Sequence, residues 1–277
     1  MLSAETRALY EKNLADAEEV HLNKPNEADS IIWLGRRMAY LGRYKDAVRV
    51  FSSGLTLFKN DPRFYRHRGH RYMTLRCFDD AIRDLEIAAR LVMGKPDEIE
   101  ADGIPNAKNI PTSTLQSNIY YHLGLAYYMK GDWNMAAAKF MQSYNLATAA
   151  KSADMKIAAA HWVYMSAARY GKDSRRDADR LLKREVGDNE NVIENDDHYK
   201  LIKLYKKQLK ADDLVKEFGS MAGSASGASL GYGVGNYFLY NGDNKKAMTI
   251  FRKITAGDQW ASFGYIAAEA ELSRSVK

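Results

Sequence analysis

The sequence predicts an all-α fold, a solenoid of about five to six helix pairs with capping helices. Three observations predict it. Gly35 and Gly69 are 34 residues apart, and so are Ala47 and Ala81, so one pattern of small residues recurs at a fixed period. Stretches with apolar residues at helical spacing come in twos, joined at short turns that contain Gly42, Gly131 or Gly242. The chain also has only five prolines in 277 residues, with 46% hydrophobic residues that include 18 Tyr and 11 Met. That mix suits packed helices and argues against wholesale disorder.

In chain order, residues 1–28 (AETRALYEKNLADAEEV) read as one N-terminal helix. Residues 29–95 hold two pairs. The first, IIWLGRRMAYLGRYKDAVRVF, carries Gly35, Gly42, Ala47 and Phe51; the second, YRHRGHRYMTLRCFDDAIRDL, carries Gly69, Arg76, Ala81 and Leu85. NDP at 60–62 supplies a cap and a first-turn proline between them. Residues 96–114 form an inserted loop with three of the five prolines, and long irregular loops inside compact arrays are uncommon and often functional. Its acids Asp97, Glu98, Glu100 and Asp102 follow a run of arginines and either lie over them or sit in a plain exposed loop. Residues 115–149 (YYHLGLAYYMKGDWNMAAAKF) give a third pair around Gly124, Gly131, Asp132, Ala136 and Phe140. Residues 150–218 contain two degenerate pairs, at 153–185 and 196–218. GSMAGSASGAS then has the composition of a flexible linker over 219–229. Residues 230–257 make another degenerate pair with Gly235, Gly242, Asp243, Ala247 and Phe251, and 258–277 a C-terminal capping helix over that pair's apolar face.

The stretch LGYGVGNYFLYNGD (230–243) has alternating glycines that resemble a phosphate-cradling loop. Such a loop needs a buried strand in front of it, and the small-residue segment 219–229 stands there instead. Gly235 therefore reads as a packing glycine in the first helix of a pair.

A 34-residue unit with Leu-Gly, an aromatic residue three positions on, a Gly-Asp turn and Ala-x-x-x-Phe resembles the tetratricopeptide repeat (TPR). The resemblance implies a right-handed superhelix that binds extended peptides along the concave face formed by its first helices. More loosely, residues 115–274 are similar to TPR adaptor lipoproteins of the bacterial cell envelope, through Trp162 and Tyr164, then Ala178, Leu181 and Leu182, then LYKKQL and GNYFLYNGD. Counted from each packing glycine, the implied groove residues are Ile32, Arg36 and Tyr40 in the first pair and Arg63, Arg66 and His70 in the second. In the later pairs they are Asn118, Tyr121 and Leu125, then Tyr232, Asn236 and Tyr240. The early groove is basic and the later one aromatic, so the implied partner is a protein or peptide offering carboxylate and apolar contacts. The clamp of Lys and Asn that holds a terminal carboxylate in one TPR subclass is not matched, because Ile32 and Arg36 stand at its slots. An RNA-binding helical repeat using the basic stretch Arg63–Arg71 is the alternative, disfavoured by the acids Asp79, Asp80, Asp84 and Glu86 nearby. A homodimer is compatible with either reading.

The net charge of +6 tilts partners only mildly toward acidic groups. Cys77 is the one cysteine, which excludes an intramolecular disulfide and a cysteine-based zinc site. His67 and His70 share a helix face, but no third ligand is evident and no metal is expected. There is no G-x-S-x-G, Walker loop or placeable Cys-His pair, so neither an enzyme nor a bound cofactor is expected. No apolar run is long enough for a membrane span, and the N-terminus lacks the basic-then-apolar order of an export signal. As written the chain reads as cytoplasmic; one shortened after export would belong to the periplasm or cell envelope.

Overall fold

A computed structural model describes residues 3–221 and 223–275. The described residues form fourteen α-helices. After α1 (Ala4–Asn23) come three antiparallel pairs: α2 (Ala28–Tyr40) with α3 (Tyr44–Leu57), α4 (Pro62–Thr74) with α5 (Phe78–Val92), and α6 (Leu115–Lys130) with α7 (Trp133–Ala149). Two further pairs are α8 (Ala153–Tyr170) with α9 (Lys172–Glu185) and α12 (Ala225–Tyr240) with α13 (Asn244–Thr255). Between them α10 (Asp196–Tyr205) packs against α8 and α12, and α11 (Ala211–Met221) against α12, instead of forming the pair expected over 196–218. Helix α14 (Phe263–Ser275) follows. An isolated antiparallel bridge between Ile99 and Thr114 accompanies them. The chain is an all-α helical-repeat solenoid.

Turn chemistry explains where each pair folds back. Gly131 and Gly242 take φ of 85° and 93°, in the left-handed region where a side chain is disfavoured. The aspartate after each caps the second helix: Asp132 accepts from the Met135 amide at 3.1 Å and Asp243 from the Lys246 amide at 3.0 Å. In the second pair Arg76 holds the same position with a φ of 64°.

Close approach explains the repeat glycines. A methyl group on Gly35 or Gly235 would lie 2.5 Å from Cε1 of Phe51 or Phe251. One on Gly124 would lie 2.8 Å from the Phe140 ring, and one on Gly69 2.8 Å from Leu85. Each partner sits sixteen residues after its glycine, so one helix hairpin contains the whole contact.

The Gly/Ser-rich segment 219–229 is not a linker. Helix α11 runs to Met221 and α12 starts at Ala225, with Ser224 capping the Gly227 amide. Gly227 packs on the Met221 carbonyl, and just past the segment Gly231 lies against Phe218 and Gly233 against Leu201, so the small residues let two neighbouring side chains reach α12. Helix α14 does more than cap the last pair. Arg274 Nη1 donates to the Met129 carbonyl at 2.8 Å and Glu269 pairs with Arg76 at 2.6 Å, which brings α14 back onto α6 and the α4–α5 turn. The core is consequently continuous from Met73 to Ala268, with a smaller cluster of Ile31, Ile32, Ala47, Phe51 and Phe64 at the start.

Candidate functional site

Helix α4, PRFYRHRGHRYMT, starts from an Asp61 cap with Pro62 in its first turn. Its 3.6-residue period separates its arginines by face. Arg68 points toward α5, where Asp84 accepts from its Nε at 2.6 Å and from Nη2 at 2.8 Å. Arg63 is forked between Asp61 and Asp29. Arg66, His67, His70 and Arg71 turn toward α2 and, with Arg36, Tyr40 and Glu100, line a cavity of about 110 Å³.

Glu100 is delivered by the inserted loop. The Glu100 amide donates to the Ser113 carbonyl and the Leu115 amide to the Glu98 carbonyl, which holds 98–100 extended beside 113–115. From there Glu100 Oε1 meets Arg66 Nη2 at 2.8 Å, with both side chains at least nine-tenths shielded from solvent. Arg36 donates to the Ala101 carbonyl and Arg37 to the Gly103 carbonyl, each at 2.8 Å. Gly103 touches Tyr40 so closely that a methyl group there would fall 1.5 Å from the hydroxyl. Of the four loop acids, then, Glu100 lies over the arginines; Asp97 instead accepts from the Gln116 amide at 3.0 Å.

The electrostatics are unbalanced. Three guanidinium groups border the cavity, but only one carboxylate does. Among the described residues Arg71 has no hydrogen-bonding or carboxylate partner and lies over the Tyr44 ring at 5.5 Å. Burial lowers it to about 10, so it stays charged at neutral pH. Burial, and then Arg66 or Arg71, pushes His67, His70 and His122 well below 6.5, which leaves them neutral. His70 meets His122 at 4.3 Å and Phe263 at 5.3 Å between ring centroids, whereas His161 meets His198 and Tyr205. Among the described residues no three or more His, Cys, Asp or Glu side chains are placed to hold a metal ion.

The groove residues expected from the later repeats lie elsewhere. Tyr121, Leu125, Tyr232 and Asn236 are buried. The Tyr232 hydroxyl is 2.7 Å from that of Tyr128 and 3.3 Å from Glu271 Oε1, and Asn236 accepts from Arg169 at 3.1 Å. Tyr240 lies under Arg175 at 4.6 Å. Helices α8 and α14 close over these slots, so in this part of the array aromatic character reflects core packing. Ile32 and Asn118 are buried as well, the latter donating to Ser113. Arg36, Tyr40, Arg66 and His70 are the expected residues that come together around the cavity. Arg37 and Phe263 were missed, and Arg71 was counted only in the basic stretch of the RNA alternative. Arg71 lay in the conspicuous arginine run but two positions past the packing glycine, outside the counted slots.

No protein-family model matches this chain, and no curated protein does. Solved structures do resemble it. The APC/C hetero-tetramer Cut9–Hcn1 is 16% identical with a TM-score of 0.54, over 97% of this chain and 46% of that one, so the present chain spans under half its length. MamA is 18% identical with a TM-score of 0.46, over 66% of this chain and 92% of that one. YrrB, described as a TPR protein with an unusual peptide-binding site, is 14% identical with a TM-score of 0.46, over 92% and 97%.

Proposed function

We propose that this TPR solenoid is a non-enzymatic scaffold that binds an acidic, extended segment of a partner protein on the α2–α4 face. The observation that carries this reading is the convergence of Arg36, Arg66 and Arg71 on one cavity that holds a single carboxylate. Guanidinium forks match carboxylates in two-point geometry, and a shielded cation without a partner favours an arriving anion. The likeness to YrrB agrees in kind but adds no residues to the case. RNA is the weaker reading, because Arg63, Arg68 and Arg76, which would extend the basic surface beyond the cavity, already pair with carboxylates of this chain.

Titration against an acidic peptide and against single-stranded RNA at several salt concentrations tests the reading. A peptide should bind with a log K–log salt slope of about −2 or shallower, and R36A/R66M should abolish it. Tighter binding of RNA, with a slope growing by roughly 0.7 per neutralised phosphate, would replace the peptide reading.

A further inference from the structure

Residues 98–103 have the character of a bound peptide. They run extended at 98–100 before bending at Gly103, they present the Ala101 and Gly103 carbonyls to Arg36 and Arg37, and they send one carboxylate to Arg66. Ile99 and Ile104 point away, 70% and 48% exposed. The fit is incomplete, though. Glu100 Oε2 and Arg66 Nε are both buried without a hydrogen-bond partner, and Arg71 beside them has none. A carboxylate held by the loop satisfies one arm of one guanidinium; a carboxylate free of that tether can engage Arg66 and Arg71 together.

We propose that segment 98–103 is an internal occupant of the binding face and that the partner is an acidic peptide taking its place. The partner's glutamate or aspartate carboxylate enters where Glu100 now lies. The inference rests on the reading of the α2–α4 face as a binding surface, and it specifies the ligand. After the carboxylate comes a small residue whose carbonyl meets Arg36, and two positions further a glycine that passes Tyr40 with its carbonyl toward Arg37. This chain's own Glu100-Ala101-Asp102-Gly103 is the template. Because the loop is tethered, it competes at an effective concentration on the order of millimolar, so partner binding is weakened until the loop leaves.

The test uses the full chain and a labelled synthetic peptide, KPDEIEADGIPN, corresponding to residues 95–106. Two variants release the loop by different physics: E100Q removes the charge, and G103A sets a methyl group against Tyr40. Both should bind the peptide at least about tenfold tighter than wild type, with thermal melts confirming that each is folded. Adding R66M to either should remove the gain, and a peptide with Gln in place of its Glu100 residue should not bind. Equal binding by wild type and both variants, or equal binding of the Gln peptide, would overturn the proposal. If exchange fails while R36A/R66M still abolishes binding of other acidic peptides, the internal-occupant inference falls and the scaffold reading stands. If the double variant has no effect either, both fall.

Discussion

Arg76 and Glu269 meet at 2.6 Å across 193 residues of chain. The same arginine donates to the Thr74 and Trp260 carbonyls and lies over the Trp260 ring at 5.3 Å. It does so from a left-handed backbone position that glycine fills in three other pairs. The contact ties the α4–α5 turn to the C-terminal segment and so helps set how tightly the array curls.

Backbone and side chain are therefore opposed at Arg76, and a comparison with Lys207 separates them. Lys207 has a φ of 62° and Arg76 one of 64°, but no side-chain hydrogen bond or ion pair is found for Lys207 among the described residues. A left-handed non-glycine residue costs about 1–2 kcal/mol. Lys207→Gly should accordingly raise stability by about 1 kcal/mol in urea denaturation. Arg76→Gly gains the same backbone relief but loses its bonds to Thr74, Trp260 and Glu269, and should be neutral or destabilising. Equal stabilisation by both substitutions would deny Arg76 its anchoring role.

The helix pairs were legible because each is a local object. Glycine and its aromatic or leucine partner lie sixteen residues apart within one hairpin, and a period in the sequence can record that. Superhelical closure has no such record. Whether Tyr232 faces a ligand or the interior depends on α14 and α8, which are brought to it by contacts such as Arg169–Glu271 and Arg274–Met129, over 100 residues apart. Both outcomes call for an apolar side chain at the same helical slot. Segment 219–229 was ambiguous for a related reason: small residues serve a flexible tether and a tightly approached helix alike. Only the partners distinguish them: the Met221 carbonyl against Gly227 within the segment, and Phe218 and Leu201 against Gly231 and Gly233 just beyond it. The arginine run did identify the basic face, yet its pairing with Glu100 depends on a loop path that no periodicity describes.

Acid sensitivity should begin with the histidines. His67, His70 and His122 are kept neutral in the folded chain by burial first and by Arg66 or Arg71 next, so their folded values lie well below 6.5. His161, buried beside His198, is depressed in the same direction. In the unfolded chain they protonate near 6.5, so the unfolded state binds more protons and stability falls as pH drops through that value. The slope is about 1.4 kcal/mol per pH unit for each fully shifted histidine. Urea midpoints should fall between pH 7.5 and 5.5. H122Q should flatten the fall, since its amide can still donate to the Asn118 carbonyl that His122 Nδ1 meets at 2.7 Å. A pH-independent midpoint over that range would contradict the neutral, buried assignment.

Glu271 governs the more acidic limb. Burial pushes its carboxyl up, but Arg169 and Arg274 more than offset this and hold it below its ordinary 4.5. Arg169 Nη1 lies 2.6 Å and Arg274 Nη2 2.7 Å from Oε1, and both guanidiniums also face the Trp133 ring at 4.3 and 5.1 Å. A depressed folded value means the contribution is fully present above 4.5 and is lost as pH falls through the folded value. Glu271→Gln leaves two shielded guanidiniums side by side, and should cost about 3–5 kcal/mol near neutral pH. Because the glutamine cannot titrate, the variant's stability should change less between pH 5 and 3 than that of wild type. Arg169→Met in the same chain removes one of the stranded charges, so the double variant should lose less than the two single losses combined. Additive losses, or an unchanged acid limb in the glutamine variant, would show that α14 is held by its apolar face and that the triad is incidental.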